Sequence, residues 1–371
     1  MMKILIIKLG AIGDVIRTTS ILSGLKKKHN CDIDWATKKE SYDILKNDRL
    51  VKNIYLINDE IKDKLKKKKY DLVISLDDEG EACGLASYIA PNNIIGAYLE
   101  NGAKVYTADS SLWFDMGLIS RFGKQKADEM KAKNKLTYQE IMYKILDLDY
   151  KKQEPILSLN KKELDFGKRF AERNKIKKTD VVIGINTGAG GRWQDKKLSE
   201  KETAELIDKL GKIKSYRSKA SGELKNQRFL SNSRIILFGG PEEVERNERI
   251  KKLASQKSKI FGNLENSKNF QSKAKVTDAG CGNSLMEFAS LVNLCSILVT
   301  SDSLALHIGT ALKKKIVCFF YPTSSQEIEL YGRGVKIIGK GKDYCSYKPK
   351  CDYPPKWDVG EIVRAVKKLL D

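Results

Sequence analysis

Short apolar runs alternate with longer amphipathic segments along most of the chain. In the first part, residues 4–8, 33–36, 54–57, 72–76 and 94–97 have the composition of strands, and a helix is predicted over 137–146. The gaps between the runs carry apolar residues at helical spacing. Strands that alternate with helices predict βαβ units built around a parallel sheet.

The alternation restarts in the second part of the chain. Strands are predicted over 181–186, 235–238, 297–300 and 316–320, and a last helix over 359–370. Residues 101–134 show no clear period, and 147–155 look like a linker. Two insertions rich in Ser, Lys and Asn, 211–233 and 266–277, are predicted to be surface loops. We therefore expect a domain over 1–150, a second over 151–358 and a C-terminal helix over 359–371.

The first strand ends in Gly-Ala-Ile-Gly-Asp at positions 10–14. Gly10 and Gly13 are expected to let the backbone turn sharply, which would place Asp14 in the first turn of a helix at the carboxyl end of a strand. Open α/β sheets bind their ligands at that edge. An ionised Asp14 could act as a base there, and a simple helix-capping aspartate explains the pattern equally well. Lys8 stands where a dinucleotide fingerprint needs glycine, so that class is excluded.

Three further strand ends carry candidate chemistry. The loop after the strand at 181–186 contains Thr187, three glycines and Arg192, and its backbone amides could cradle a phosphate. Gly-Gly-Pro-Glu at 239–242 starts a helix, and Glu242 could accept ribose hydroxyls. Asp302, Ser303 and His307 begin another helix, whose amino-terminal amides suit a pyrophosphate. Each feature taken alone is also ordinary helix-start or loop chemistry.

Composition narrows the class of protein. The 371 residues are 41% hydrophobic and 32% charged, with a formal net charge of +21. We expect a globular, cytoplasmic protein without a membrane span. The positive field should attract anions such as phosphorylated glycolipid or an anionic membrane face, and no nucleic-acid-binding motif is present. Only two histidines occur, so no metal site is predicted. Asp77-Asp78-Glu79 could bind a cation or a hydroxyl, although helix capping is the simpler interpretation.

Taken together, these pieces resemble glycosyltransferase family 9, the ADP-heptose:lipopolysaccharide heptosyltransferases. The resemblance rests on four motifs in the same order along the chain: positions 10–14, Gly-Arg-Trp at 191–193, Gly-Gly-Pro-Glu at 239–242, and Asp-Ser-x-x-x-His at 302–307 followed by Tyr-Pro-Thr. It implies a GT-B architecture, in which two Rossmann-like, doubly wound α/β domains flank a cleft. The acceptor would bind the first domain and the nucleotide sugar the second.

The resemblance also implies roles for individual residues. Asp14 matches the base that deprotonates the acceptor hydroxyl in an inverting transfer. The donor-binding residues it implies are Thr187, Arg192, Glu242, Asp302, Ser303 and His307. Acceptor-side residues would be Gly13, Arg121 and Lys124, with the two cations meeting phosphates of a lipid-linked acceptor. No cofactor and no metal are implied, and contact with the inner face of the cytoplasmic membrane is expected to be peripheral.

Two positions depart from the family pattern. Leu304 stands where the family has glycine after Asp-Ser/Thr, and Gln194 stands where it has proline after tryptophan. Leu304 would put a side chain where the backbone should approach the donor. A noncatalytic nucleotide- or glycan-binding protein with the same fold is therefore an alternative. A nucleotide-sugar epimerase would need additional acids and histidines in the cleft, and we do not find them in the sequence.

Overall fold

The computed structural model describes residues 1–89, 93–191, 194–213, 233–262 and 275–371. The described chain forms two compact units. The first contains Met1–Ser158 and Gln326–Tyr331, and the second contains Leu159–Ser325 and Gly332–Asp371. Each unit holds one six-stranded sheet with helices packed against it.

The first unit has a sheet in the order β3-β2-β1-β4-β5-β6, all parallel except for the antiparallel β5–β6 pair. Its strands are β1 Lys3–Ile7, β2 Asp32–Thr37, β3 Asn53–Leu56, β4 Leu72–Ser75, β5 Ile94–Glu100 and β6 Ala103–Tyr106. Its helices are α1 Ile12–Thr18, α2 Ile21–His29, α3 Tyr42–Leu45, α4 Asp59–Lys67, α5 Gly80–Ile89, α6 Ser111–Phe114, α7 Gly123–Lys133 and α8 Tyr138–Ile145. The central strands β1 and β4 are buried almost throughout, as both faces of a parallel sheet are covered.

The second unit repeats this strand order with a fully parallel sheet, β12-β11-β10-β7-β8-β9. Its strands are β7 Val181–Asn186, β8 Ser233–Phe238, β9 Lys275–Asp278, β10 Ile297–Ser301, β11 Lys315–Phe320 and β12 Gly334–Ile338. Its helices are α9 Lys161–Arg173, α10 Glu200–Gly211, α11 Val244–Gly262, α12 Leu285–Asn293, α13 Leu304–Ala311 and α14 Val359–Leu370. Apolar side chains of α10 and α14 share one core cluster with those of the sheet.

Local sequence sets where several helices begin. Helices α8, α9, α10 and α12 each start with a capping box, in which the N-cap side chain and a glutamate three residues later satisfy each other's backbone amides. The four N-cap residues are Thr137, Asn160, Ser199 and Ser284. Each such cap stabilises its helix by about 1 kcal/mol. The bounds of these helices are therefore fixed by short sequence signals.

The nine strands predicted from apolar runs are confirmed, and so is the last helix, but three strands were missed. These are β6, β9 and β12, each at the outside of its sheet. These three strands are partly exposed and carry no continuous apolar run, as the half-exposed β6 shows. The segment 101–134 is also more regular than predicted, because it contains β6, α6 and α7. Helix α7 buries only Ala127 and so lacks an apolar stripe.

Both predicted insertions fall largely outside the described residues. Of the first, positions 214–232 are not described, whereas Gly211 ends α10 and Ser233 begins β8. Of the second, positions 266–274 are not described. The prediction of a surface loop is wrong for positions 275–277, because they form most of β9.

Candidate functional site

In the first unit, Asp14 lies in the first turn of α1, just beyond the carboxyl end of β1. Its carboxylate Oδ1 is 3.0 Å from Nε of Arg17, and its side chain is 33% exposed. The Arg17 side chain is almost buried and its guanidinium lies 3.9 Å from the ring centroid of Tyr138. Arg17 also lies 3.7 Å from Glu327. Asp14 is thus accessible at its carboxylate and oriented by a fixed cation.

The strand end before Asp14 is held by a buried ion pair. The ammonium of Lys8 pairs with Asp77, which follows β4, and also donates to the Leu76 carbonyl at 3.2 Å. The other carboxylate oxygen of Asp77 accepts the amides of Leu9 and Gly10. Asp77 therefore shapes the β1–α1 loop, a role that neither sequence interpretation of this acid included.

Lys8 also brings positive charge toward Asp14. Burial on its own would lower the pKa of the Lys8 ammonium, but the charges of Asp77 and Asp14 outweigh it, and the pKa is raised. The ammonium consequently stays charged at neutral pH. Two cations, Lys8 and Arg17, therefore interact electrostatically with the Asp14 carboxylate.

The two glycines of this loop differ in their surroundings. Neither Gly10 nor Gly13 adopts a left-handed backbone conformation. A Cβ atom added at Gly10 would meet nothing within 4 Å, and Gly13 is a buried residue of α1. The expectation that they let the backbone turn sharply stays a prediction.

The proposed acceptor-side cations lie elsewhere in the first unit. Arg121 follows α6, is 58% exposed, and places Nη2 3.1 Å from Asp115. Lys124 is in the first turn of α7, is 77% exposed, and pairs with Asp128 one turn on. Both are surface cations with an acidic neighbour, as a solvated face or an anion-binding face would have.

In the second unit, Asp302 is the most strongly held acid of the candidate site. It follows β10, and its Oδ2 accepts from Nζ of Lys196 at 3.0 Å and from the hydroxyl of Thr323 at 2.7 Å. Lys196 also donates to the Asp302 backbone carbonyl at 2.9 Å. Burial opposes ionisation, but Lys196 and then His307 outweigh it, so the pKa of Asp302 falls to about 2. Asp302 is therefore a fixed anion at neutral pH.

Ser303 is the N-cap residue of α13, yet its hydroxyl does not cap the helix. The hydroxyl instead lies 3.2 Å from the Asn186 amide nitrogen and 3.1 Å from the Thr300 hydroxyl. The side chain of Asn186 thus joins the carboxyl ends of β7 and β10. The first turn of α13 carries no acidic residue, so its amides suit an anion.

A second group of residues surrounds the glycine loop after β7. The Thr187 hydroxyl lies 2.8 Å from the Phe238 carbonyl oxygen and 2.7 Å from the Asn247 side-chain oxygen, and the residue is buried. Glu242 is exposed, and its carboxylate lies so near Gly191 that a Cβ there would be 3.2 Å from Oε1. The loop and Glu242 are therefore neighbours, whereas Thr187 anchors the start of the loop through its buried hydroxyl.

Glu243, the residue after the motif at 239–242, joins several parts of this region. It is buried, accepts the Gly240 amide at 2.9 Å, and lies 3.3 Å from Nζ of Lys197. A Cβ at Gly188 would lie 2.7 Å from its Oε2. A side chain at position 188 would therefore have to displace this carboxylate.

The structure brings together most of the predicted donor-binding residues of the second unit. Thr187, Glu242, Asp302, Ser303 and His307 all follow the carboxyl ends of β7, β8 and β10, which are neighbours in one sheet. Arg192 and its neighbour Trp193 lie outside the described residues. Among the residues that the structure does describe, no group of three or more His, Cys, Asp or Glu side chains is arranged to hold a metal ion.

Three cations of these sites were missed from sequence. Arg17 had a usable signal, since it stands three residues after Asp14 on the same helix face. Lys8 had a weaker one, a charge at the end of an apolar strand. Lys196 had none, because it is one of 69 Lys and Arg residues in a lysine-rich chain.

Comparison of the chain with known structures reveals the same fold in glycosyltransferases. A glycosyltransferase of family 9 from Veillonella parvula matches with a TM-score of 0.71 and 16% identity, covering 100% of this chain and 97% of that one. E. coli ADP-heptose lps heptosyltransferase II matches with a TM-score of 0.62 and 17% identity, over 100% and 98%. E. coli heptosyltransferase WaaC with ADP matches with a TM-score of 0.58 and 15% identity, over 99% and 97%. The two doubly wound units are thus those of a GT-B fold.

The sequence itself identifies the family. No curated protein sequence matches the chain. The model of glycosyltransferase family 9 (heptosyltransferase), however, matches residues 59–355. Asp14 precedes the matched range, which includes Glu242 and the motif at 302–307. The chain therefore belongs to glycosyltransferase family 9 and is a glycosyltransferase.

Proposed function

We propose that this enzyme transfers heptose from ADP-heptose to an anionic glycolipid of the cell envelope, in lipopolysaccharide core synthesis, with inversion at the anomeric carbon. The acceptor would bind the domain 1–150, and the nucleotide sugar would bind the domain 151–358, followed by the C-terminal helix 359–371. Transfer would take place in the cytoplasm, at the inner face of the cytoplasmic membrane. The observation that carries the proposal is Asp14, an accessible carboxylate oriented by Arg17 at the carboxyl end of a central strand.

In the proposed reaction, the Asp14 carboxylate takes the proton of the acceptor hydroxyl. The hydroxyl oxygen forms a bond to the anomeric carbon of the donor sugar as the bond from that carbon to the diphosphate oxygen breaks. The products are the inverted glycoside and the nucleoside diphosphate. Arg17 holds the carboxylate in place, and Lys8 adds positive charge behind it. A positioned general base of this kind typically contributes about a hundredfold to ten-thousandfold in rate.

The donor would be held by the strand ends of the second unit. The amino-terminal amides of α13 and Arg192 would bind the diphosphate and stabilise the negative charge that develops as it leaves. Glu242 would accept the two ribose hydroxyls of the adenosine, as acids do in other nucleotide sites. Because Asp302 is itself an anion, we assign it to the sugar hydroxyls, with Ser303 and His307 beside it. Thr187 supports the glycine loop near the donor.

The acceptor would be recognised by charge. Arg121 and Lys124 are exposed cations of the first unit and would meet the phosphates of a glycolipid. Gly13 is buried in the same helix as Asp14 and supports its position. Neither a metal nor another cofactor takes part in the proposed mechanism.

The test of this proposal is a panel of nucleotides followed by a panel of nucleotide sugars. ADP should protect the protein against thermal unfolding more than UDP or GDP at equal concentration, because a ligand that binds only the folded state stabilises it. ADP-heptose should then release ADP in the presence of a cell-envelope glycolipid extract, with EDTA present. Stronger protection by UDP would assign a different donor. Binding of ADP without any turnover would favour the noncatalytic alternative, and loss of turnover in EDTA that magnesium restores would contradict the metal-free mechanism.

A further inference from the structure

The turn between α6 and α7 exposes two large apolar side chains close together in sequence. Leu118 is 85% exposed and Phe122 is 52% exposed, and they are four residues apart. Single exposed apolar residues are common on soluble proteins and need no explanation. Two of them in one anchored, positively charged turn do need one.

The backbone fixes this turn, which we define as the apolar turn, residues 117–126. The Gly117 amide donates to the Phe114 carbonyl at 3.0 Å, and the Gly123 amide donates to the Ser120 carbonyl at 3.1 Å. Gly123 has a φ of 76°, in the left-handed region that favours glycine. The Arg121 amide donates to the hydroxyl of Tyr106 at 3.1 Å. Exposure of the two apolar side chains is therefore built into an anchored turn.

The apolar turn is also positively charged. It contains Arg121, Lys124 and Lys126 and no acidic residue. All three cations are more than half exposed, and the Arg121 guanidinium lies 4.9 Å from the ring centroid of Phe122. Apolar side chains interleaved with cations are the composition of segments that lie at a bilayer surface.

The acidic partners of these cations come from outside the turn. They are Asp115, Asp128 and Glu129. The Lys124–Asp128 and Lys126–Glu129 pairs are exposed and contribute little stability, so lipid phosphates can replace them at low cost, whereas Arg121 keeps the buried Asp115 as its partner. At an anionic surface the two lysines can therefore turn to phosphate groups, beside the half-exposed guanidinium of Arg121.

We propose that the apolar turn docks the protein on an anionic lipid bilayer. Leu118 and Phe122 enter the boundary between headgroups and acyl chains, while the three cations contact lipid phosphates. A protein partner fits less well, because a stable interface buries about 800 Å² on each side and a ten-residue turn offers less. The proposal rests on the proposed function for its peripheral location and shares Arg121 and Lys124 with the proposed acceptor side, but it uses no step of sugar transfer.

The first experiment is sedimentation of the full chain with vesicles that contain no glycolipid, so that acceptor binding is excluded. Vesicles of phosphatidylcholine alone are compared with vesicles of equal parts phosphatidylcholine and phosphatidylglycerol. We expect binding to the mixed vesicles, weakened by high salt because salt screens exposed charges, and little binding to phosphatidylcholine. Free glycerol phosphate at the same phosphate concentration should not release the protein. Absence of binding to mixed vesicles would overturn the proposal, as would full competition by glycerol phosphate.

The second experiment changes only the apolar residues. The double variant L118S/F122S should bind mixed vesicles about tenfold more weakly or worse, because it removes the apolar area that leaves water. The matched control is L164S/I338S, which replaces two apolar residues of the second unit that are each 46% exposed and should leave binding unchanged. Melting temperatures should match for all three proteins. Equal binding by L118S/F122S and wild type would overturn the proposal.

Transfer to a water-soluble acceptor fragment separates this proposal from the proposed function. The L118S/F122S variant should retain that activity, since neither residue is assigned to either substrate. If no sugar is transferred by wild type but vesicle binding follows the expected pattern, the proposed function fails and the docking surface stands. If wild type transfers sugar but L118S/F122S binds vesicles as wild type does, the docking surface fails and the proposed function stands.

Discussion

Each of the two units contains a buried lysine–aspartate pair at the strand ends of its sheet. Each sheet has its first strand, β1 or β7, next to the strand where the chain changes direction, β4 or β10. In each unit a buried lysine pairs with the aspartate that follows β4 or β10. The pairs are Lys8–Asp77 in the first unit and Lys196–Asp302 in the second. In each case the lysine also donates to a backbone carbonyl at the same strand end.

The two aspartates, Asp77 and Asp302, differ in the contacts that they make besides the lysine. Asp77 uses its second oxygen on the amides of the β1–α1 loop, so its role is structural, and Asp14 is the partly exposed acid that follows this loop. Asp302 instead accepts from the hydroxyl of Thr323 and interacts electrostatically with His307. The same ion pair is therefore architectural in the first unit and part of the candidate donor site in the second. Variants of these residues test that division.

The largest expected effect is that of Asp14→Asn. Asparagine fits the same space and is a good residue for a helix start, but it cannot accept the proton. We expect turnover to fall about a hundredfold to ten-thousandfold. ADP affinity should not change, because the donor residues belong to the second unit. Steady-state kinetics and calorimetric titration with ADP measure the two quantities.

The matched control for this variant is Asp59→Asn, which changes an acid in the first turn of α4 in the same unit. It should leave both turnover and ADP affinity unchanged. Near-normal turnover of Asp14→Asn, with a stability change below about 1 kcal/mol, would make Asp14 a helix-start residue only. The catalytic assignment would then be withdrawn, although the fold would stand.

Removing the lysine of each pair should separate architecture from donor binding. Lys8→Met leaves Asp77 buried without its cation, which should cost about 3–5 kcal/mol in the free energy of unfolding. Lys196→Met should cost less, since Thr323 still donates to Asp302, but should weaken ADP-sugar binding by about tenfold, or about 1.4 kcal/mol. Urea unfolding and donor titration measure the two effects.

The controls restore one feature at a time. Lys8→Met combined with Asp77→Asn removes the buried charge while keeping an acceptor for the Leu9 amide, and it should recover part of the lost stability. Lys196→Arg keeps the charge and should bind donor better than Lys196→Met. If Lys8→Met and Lys196→Met weaken donor binding equally, the division between the two units is wrong.

Sequence reasoning predicted the parts of this molecule that depend on local signals. The buried strands are visible in the sequence as apolar runs. The motifs at 10–14, 239–242 and 302–307 follow strand ends, as the structure confirms. The edge strands β6, β9 and β12 were missed because partial exposure removes the apolar run. The buried ion pairs were missed because they join residues 69 and 106 positions apart. Such pairing is decided by sheet topology, which no short segment encodes.

Lowering the pH should reveal how much the Asp302 carboxylate contributes to the free energy of unfolding. The pKa of Asp302 is lowered to about 2 from an ordinary value of 3.8. A lowered pKa in the folded state means that the unfolded state binds the proton first, so this stability is fully present above about pH 4 and is lost as the pH falls toward about 2. The loss should be about 2 kcal/mol. Asp302→Asn should flatten this part of the stability–pH curve, and an unchanged slope would contradict the role of Lys196.

The smallest expected effect compares one glycine from each β–α loop. A Cβ at Gly188 would lie 2.7 Å from Oε2 of the buried Glu243, whereas a Cβ at Gly10 would meet nothing within 4 Å. Gly188→Ala must displace a carboxylate that already accepts the Gly240 amide, so we expect a cost of about 1–3 kcal/mol. Gly10→Ala should stay within about 0.5 kcal/mol of wild type. Neither glycine has a positive φ, so neither substitution meets a left-handed backbone. Chemical denaturation of both variants decides it: equal costs would mean that Glu243 yields freely, and that the loop of the second unit is no more tightly packed than that of the first.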